Sequence, residues 1–263
     1  MTATAGLEVR ATHVSKVYSK RGGESAEAIR DFSCEVEPGS FVSLIGPSGC
    51  GKSTFLLLAA GLVGKSGGQL SVGGREVEGP LHNIGMVFQQ PWLLDWLTIF
   101  DNVMLQIKGR KMDKKQYVHR ANELLDAVGL GDFKKSYPRE LSGGMQQRAA
   151  IVRGLIHQPP LILMDEPFGA LDALTRDQMT LDLQDLWLQQ RTTILFVTHS
   201  IQEAVFLSDQ ILVFSPRPSV VERAIQVDLP RPRRLSMRED EAFLNYVRDI
   251  EQVFLARGVL REH

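Results

Sequence analysis

The segment with the most specific chemistry is Gly46-Pro47-Ser48-Gly49-Cys50-Gly51-Lys52-Ser53-Thr54. It fits the spacing G-x-x-x-x-G-K-[ST], a phosphate-binding pattern. Small residues let consecutive backbone N–H groups turn toward one anion, and a helix that starts there adds partial positive charge. Lys52 can then neutralise β- and γ-phosphates, and the Ser53 hydroxyl can ligate Mg²⁺. Cys50 lies beside that helix start and near Lys52, both of which favour a thiolate. Its small size is an equally good reason for its place there. A second cluster is Asp165-Glu166, which closes the apolar run 161–164. Ligands of open parallel sheets sit beyond the carboxyl ends of the strands. Asp165 is therefore placed to hold Mg²⁺ through water, and Glu166, pointing elsewhere, to polarise an attacking water as a general base. The third cluster is Leu141-Ser142-Gly143-Gly144-Met145-Gln146-Gln147-Arg148. Ser142 is a natural N-cap for a helix running to about His157, and the glycines admit close approach by a backbone or a phosphate.

The elements that must hold these clusters alternate between strand and helix. Residues 7–45 read as strands, the last of them the buried run Phe41-Val42-Ser43-Leu44-Ile45, which leads straight into the phosphate loop. FLLLAAGLV after the loop has helical composition and is expected to end near Gly64. Residues 67–88 return to strand and turn, and 98–158 are helical. Within them Tyr117, Val118, Ala121, Leu124, Leu125 and Val128 share one face, with Asp113 as N-cap and Gly129 as stop. The runs 161–164 and 193–197 are β-type, with a helix over 173–190 between them. Residues 225–229 alternate like an edge strand, LPRPRR at 229–234 reads as a short linker, and 238–257 is amphipathic through Phe243, Val247, Ile250 and Phe254. The basic stretch 108–115 reads as a solvated loop.

Composition bounds the rest. A length of 263 residues allows one large domain or two small ones, and 43% hydrophobic with 23% charged residues is ordinary globular usage. Thirty basic against 31 acidic side chains leave a net charge of −1, which gives no electrostatic footprint for nucleic acid. The longest apolar run, 55–63, has nine residues, and a spanning helix needs about 20. No secretory signal is visible in MTATAGLEVR, and two cysteines, Cys34 and Cys50, make no disulfide framework, which fits reduced thiols in the cytosol.

LSGG followed by LILMDEP resembles the signature and Walker B segments of the ATP-binding-cassette (ABC) ATPases. Val17-Tyr18 resembles the family's adenine-stacking aromatic loop, Phe88-Gln89 its Q-loop, Gly169-Ala170-Leu171-Asp172 its D-loop, and Val197-Thr198-His199 its switch histidine. The resemblance implies an α/β fold: a P-loop NTPase (RecA-like) core with an antiparallel β subdomain and an inserted α-helical subdomain over about 90–158. The ATPase domain would span 1–235, followed by an amphipathic helical tail at 236–263. It implies ATP and Mg²⁺ as cofactors, with Lys52, Gln89, Glu166 and His199 catalytic and Ser53, Gln89 and Asp165 at the metal. Tyr18 and residues 46–54 would hold the nucleotide, together with Ser142, Gly143, Gly144, Gln146 and Asp172. Members of the family bind two ATP between two head-to-tail subunits, so Ser142 and Gly144 would act in trans.

The chain carries one cassette, no membrane domain, no long coiled coil and no NKxD motif of GTPases. That leaves the ATPase subunit of a multi-subunit importer, with a soluble ATPase that remodels a protein or nucleic-acid partner as the second reading. FGALDALTR, VTHSIQEAVFLSDQILVFSPRP and LPRPRR…FLNYVRDIEQVF are similar to the nitrate/sulfonate/taurine importer group. Its members serve nitrate, alkanesulfonates, taurine, bicarbonate, thiamine precursors and aromatic acids. The implied partners are a second copy or a homologous ATPase, transmembrane permease subunits and, indirectly, an extracytoplasmic solute-binding protein, with no nucleic acid. The implied location is peripheral, at the cytoplasmic face of the cell membrane. Where the group often has LLPW, this chain has Leu93-Leu94-Asp95-Trp96. Five of the seven residues in 91–97 are large and apolar, and they cannot all share one helical face, so part of this segment is expected to be exposed as a docking surface.

Overall fold

The computed structural model describes residues 6–19 and 25–260. The chain forms strands β1 (Val9–Ser19), β2 (Ser25–Val36) and β3 (Phe41–Ile45), helix α1 (Lys52–Ala59), and strands β4 (Gly67–Val72), β5 (Arg75–Glu76) and β6 (Gly85–Val87). Helices α2 (Ile99–Gly109), α3 (Lys114–Ala127) and α4 (Gly143–Leu155) come next. The remainder alternates β7 (Leu161–Asp165), α5 (Ala173–Gln190), β8 (Thr193–Val197), α6 (Ile201–Leu207), β9 (Gln210–Phe214) and β10 (Val221–Gln226), and ends in α7 (Glu241–Ala256).

Among the described residues these strands make two sheets, ordered β10-β9-β3-β8-β7-β6 and β2-β1-β4-β5. In the first, β9, β3, β8, β7 and β6 pair in parallel, and only β10 runs antiparallel at the edge. The apolar runs behave as strands covered on both sides. Phe41, Ile162, Met164, Ile194, Phe196 and Ile211 face a core shared with α2 to α7. Their neighbours Val42, Leu44, Leu161, Leu163, Leu195 and Leu212 face a second core with α1 and the antiparallel sheet. A one-residue slip would exchange the two sets, so register is tightly specified. Parallel pairing of β3, β8, β7 and β6 also brings their carboxyl ends to one edge, and the segments that leave that edge are the motifs.

Five local expectations change, the first being the basic stretch 108–115, which is split between the end of α2, a turn at 110–113 and the start of α3. Helix α1 stops at Ala59, short of Gly64. Gly61 has φ 71°, and a Cβ there would lie 1.9 Å from the Gly79 carbonyl oxygen, so the chain must turn at this glycine. On α3 the Asp113 cap and the Gly129 stop are present, but Val118 is exposed, because the buried stripe of Tyr117, Ala121, Leu124 and Leu125 is narrower than the spacing predicts. The edge strand lies at Val221–Gln226, although Val227 and Leu229 beyond it are still buried. Residues 229–234 are no loose linker: Arg233 is only 2% exposed and donates to the carbonyls of Val205, Phe206, Ser208, Val227 and Leu229. A guanidinium satisfies the open carbonyl end of α6 and staples the 227–233 segment to the core. Beyond it, Phe243, Ile250 and Phe254 of α7 are buried in that core. Among the described residues no helix is long and apolar enough to cross a membrane.

Candidate nucleotide-hydrolysis site

Residues 46–51 leave β3 as a loop of positive-φ turns, with Gly49 at 72° and Gly51 at 117°. A Cβ on Gly51 would lie 2.9 Å from both the Ala28 carbonyl oxygen and Ser219 Oγ, and one on Gly46 would lie 2.9 Å from the Phe214 carbonyl oxygen. Glycine is thus required at both positions by sterics alone. The N-cap of α1 is Gly51, and no side chain closes that helix end. Its first N–H groups remain available to an anion. Lys52 is buried, and its ammonium donates to the carbonyls of Gly46 (2.8 Å) and Pro47 (3.1 Å). The Ser53 hydroxyl donates to Asp165 Oδ1 at 2.8 Å, which joins the loop to the end of β7. Burial pushes the Asp165 carboxyl up, and the Ser53 hydroxyl pulls it back. An uncapped helix start, a buried lysine and a hydroxyl–carboxylate pair of hard oxygen donors fit a nucleotide triphosphate and Mg²⁺.

Glu166 takes φ 47°, a conformation that bulky side chains rarely adopt and that is often held at functional sites. Its N–H bonds to the Val197 carbonyl at 3.0 Å, and its Oε1 lies 2.6 Å from Nε2 of His199, just beyond the end of β8. Gln89, Glu166, Phe168, Gly169, Arg176, Thr198, His199, Ser200 and Glu203 line one cavity of about 290 Å³. The expected Gln89, Glu166 and His199 therefore meet, and Lys52, Ser53 and Asp165 meet beside them.

Other expected site residues lie apart. Tyr18 is exposed on the antiparallel sheet, with the Lys16 ammonium 4.8 Å above its ring. Ser142 caps α4 by accepting from the Met145 N–H, and Gly143 has open space on its Cβ side. Gln146 spends its amide on the Pro138 and Leu141 carbonyls, so it shapes the turn before the cap. Asp172 caps α5 by accepting from the Thr175 N–H. The thiolate expectation for Cys50 is overturned: the side chain is buried, and burial raises its pKa despite Lys52 3.8 Å away. Two residues without a sequence signal hold the loop of Gln89. The buried Gln147 donates to the Phe88 carbonyl at 3.0 Å, and Arg153 donates to the carbonyls of Pro91 and Trp92 at 2.6 Å each. Both sit on α4, so the signature helix and the Gln89 segment form one piece. Beyond that piece Trp92 is 65% and Trp96 73% exposed, as expected for part of 91–97.

The parallel sheet, the glycine loop and the carboxylates at one edge define an α/β P-loop nucleoside triphosphatase. The profile of the ABC transporter family matches residues 29–169. The chain is 38% identical over 248 residues to the aliphatic sulfonates import ATP-binding protein SsuB of Bacillus cereus, covering 94% of this chain and 96% of that protein. It is 39% identical over 258 residues to the nitrate import ATP-binding protein NrtD of a Synechocystis species, covering 95% and 96%. An ATP-binding cassette solved as a dimer in a post-hydrolysis state with ADP and Pi superposes with a TM-score of 0.74 at 32% identity, covering 84% of this chain and all of that one. The chain belongs to the ABC transporter family, as an ATP-binding and ATP-hydrolysing subunit.

Proposed function

We propose that this chain energises a multi-subunit importer for nitrate, a sulfonate, taurine or a related small solute. It would sit peripherally at the cytoplasmic face of the membrane, bound to permease subunits that a solute-binding protein serves from the other side. The sulfonate and nitrate import relatives support the solute class, and the exposed Trp92 and Trp96 support a protein partner at that face.

The observation that carries the hydrolytic reading is the 2.6 Å contact between Glu166 and His199 beside the Ser53–Asp165 pair. Lys52 and the open N–H groups of α1 bind and orient the triphosphate, and Tyr18 stacks on the adenine. Ser53, Asp165 and Gln89 would hold Mg²⁺, which supplies charge neutralisation on the phosphates. Glu166 accepts the proton of the attacking water, and His199 fixes that carboxylate in place. Ser142, Gly143 and Gly144 of a second copy, or of a homologous ATPase, complete the site across a head-to-tail dimer. In that dimer the Asp172 turn and the Gln146-shaped turn lie at the joint. By domain, residues 1–235 form the ATPase, with a helical subdomain over about 90–158, and 236–263 form the tail.

The test is Glu166→Gln in the purified chain. ATP affinity should hold while turnover falls by on the order of 10³-fold, leaving an ATP-bound dimer on gel filtration. Parental turnover in this variant would refute the role of Glu166. Purification from native membranes should bring permease subunits along, and their absence would favour a soluble remodelling ATPase instead.

A further inference from the structure

The cavity under Glu166 and His199 has a far wall that the roles above do not use. Glu203 is 5% exposed and carries a carboxyl that burial raises. Its Oε2 accepts from the Thr198 hydroxyl at 2.5 Å, and that hydroxyl in turn accepts from the Ser200 N–H at 3.0 Å. Its own N–H donates to Ser200 Oγ at 3.2 Å. The residues on both sides of His199 are thus tied to one residue, Thr198 to its carboxylate and Ser200 to its backbone N–H. The other oxygen, Oε1, lies 3.5 Å from Nε of Arg176 on α5. That Nε is buried and has no hydrogen-bond partner, whereas Nη2 of the same guanidinium donates to the Leu171 carbonyl at 2.8 Å. The 3.5 Å gap is longer than a normal N–H···O bond, so a shift of about 0.5 Å would complete a charge-assisted one. At the far end, a Cβ on Gly144 would lie 2.9 Å from Thr175 Cγ2 and 3.5 Å from Leu171 Cδ2, so the start of α4 rests on the turn that Arg176 holds. Arg238 closes the back of the group, 2.6 Å from Asp177.

We propose that Glu203 and Arg176 are positioning residues that brace the 198–200 turn, and with it His199, against the 171–172 turn on which Gly144 packs. The proposal rests on the roles given above for Glu166 and His199. The brace makes the γ-phosphate end of a chain's own site and the glycine face it offers to another copy into one mechanical unit. Coupling of this kind is established by a cycle of variants and not by proximity.

The experiment uses the full-length protein with MgATP and the variants Glu203→Gln, Arg176→Met and the pair together. Rates are normalised to the sites that bind a fluorescent ATP analogue, so chains that fail to fold drop out. Glutamine keeps the shape, with an NH₂ that can face the Thr198 hydroxyl and an oxygen that can face Arg176, but it removes the negative charge that holds the guanidinium. Each single variant should lose on the order of 10-fold to 100-fold in kcat, as displaced catalytic groups do. KM for ATP should stay within about 2-fold, because the phosphate loop is untouched. The double variant should be no slower than the slower single, and Arg176→Lys should recover part of kcat. Unchanged kcat in Glu203→Gln overturns the proposal. So does a KM that rises in step with the loss, or a double variant slower by the product of the singles. If the parental chain itself failed to turn over, the hydrolytic reading would fall, which is a separate result.

Discussion

The two helix starts to which the proposed function assigns phosphate are built oppositely. The start of α1 is uncapped, forced into shape by Gly51 at φ 117°, and backed by a buried lysine and the Ser53–Asp165 pair. The start of α4 is closed by its own Ser142 hydroxyl, with Gly143 facing open space. An open helix start costs stability unless an anion or water fills it, whereas a capped one is complete without a ligand. The first is therefore a receptor that its own chain shapes and an anion fills. The second is closed by its own chain and presents Gly143 to open space. On the function proposed above, the site takes one of each from two copies.

The largest expected effect comes from disabling the two starts separately. Gly143→Asp puts a carboxylate into open space, so it leaves the chain's own packing intact and sets a negative charge where a second copy's phosphate would approach. Lys52→Ala removes the counter-charge of the phosphate loop. Each variant alone should lose turnover by on the order of 10²-fold or more, and only Lys52→Ala should lose ATP binding. Mixed together, they can form dimers with one intact site, and activity should return. If neither turnover nor ATP-dependent dimerisation recovers in the mixture, the division of labour between the two starts is wrong.

A smaller effect sharpens the same contrast at the partner surface. Trp92 and Trp96 stand exposed on a segment whose backbone Arg153 of α4 holds, so the segment is tied to the capped helix. Trp92→Ala or Trp96→Ala removes an aromatic anchor worth on the order of 2 kcal/mol of binding. Permease co-purification should weaken, while ATP affinity of the isolated chain stays at the parental value. Normal assembly and transport in both variants would move the docking face elsewhere.

The two starts were also unequally legible in the sequence. Lys52, Ser53, Asp165 and Glu166 announce themselves because each residue type carries its chemistry and each follows an apolar run that reads as a buried strand, whereas His199 is legible only through its resemblance to the family's switch histidine. The capped helix is legible through Ser142 and its glycines, but what it holds is not. Gln147 reaches a carbonyl 59 positions away, and Arg176 meets Glu203 from another helix. Such pairings exist only after the sheet has folded, and a polar residue in a helix carries no mark of its partner. Arg233 was obscured by the two prolines of its segment, which suit a linker. The spacing of Leu229, Arg231 and Arg233 by two was the one available hint that the segment is extended with a single side turned inward.

The smallest expected effect is at Cys50, where a helix start and a lysine favour thiolate and burial opposes it. Burial wins because the thiol is enclosed within the core behind the loop, where a charge loses its hydration, and Lys52, shared with the Gly46 and Pro47 carbonyls, offsets only part of that. Cys34 is pushed further, to about 12 from an ordinary 9.0. Both folded pKa values lie above the unfolded ones. The stability this adds is fully present below about pH 9, and it is lost as pH rises through the folded values, because the unfolded chain gives up those protons first. At neutral pH, therefore, maleimide should label the native chain on the order of 100-fold more slowly than the urea-unfolded chain. MgATP should add little further protection, since the fold already supplies it. Rapid native labelling of Cys50 that MgATP blocks would show that the phosphate loop opens on its own, and the shaped receptor at the start of α1 would become a mobile one.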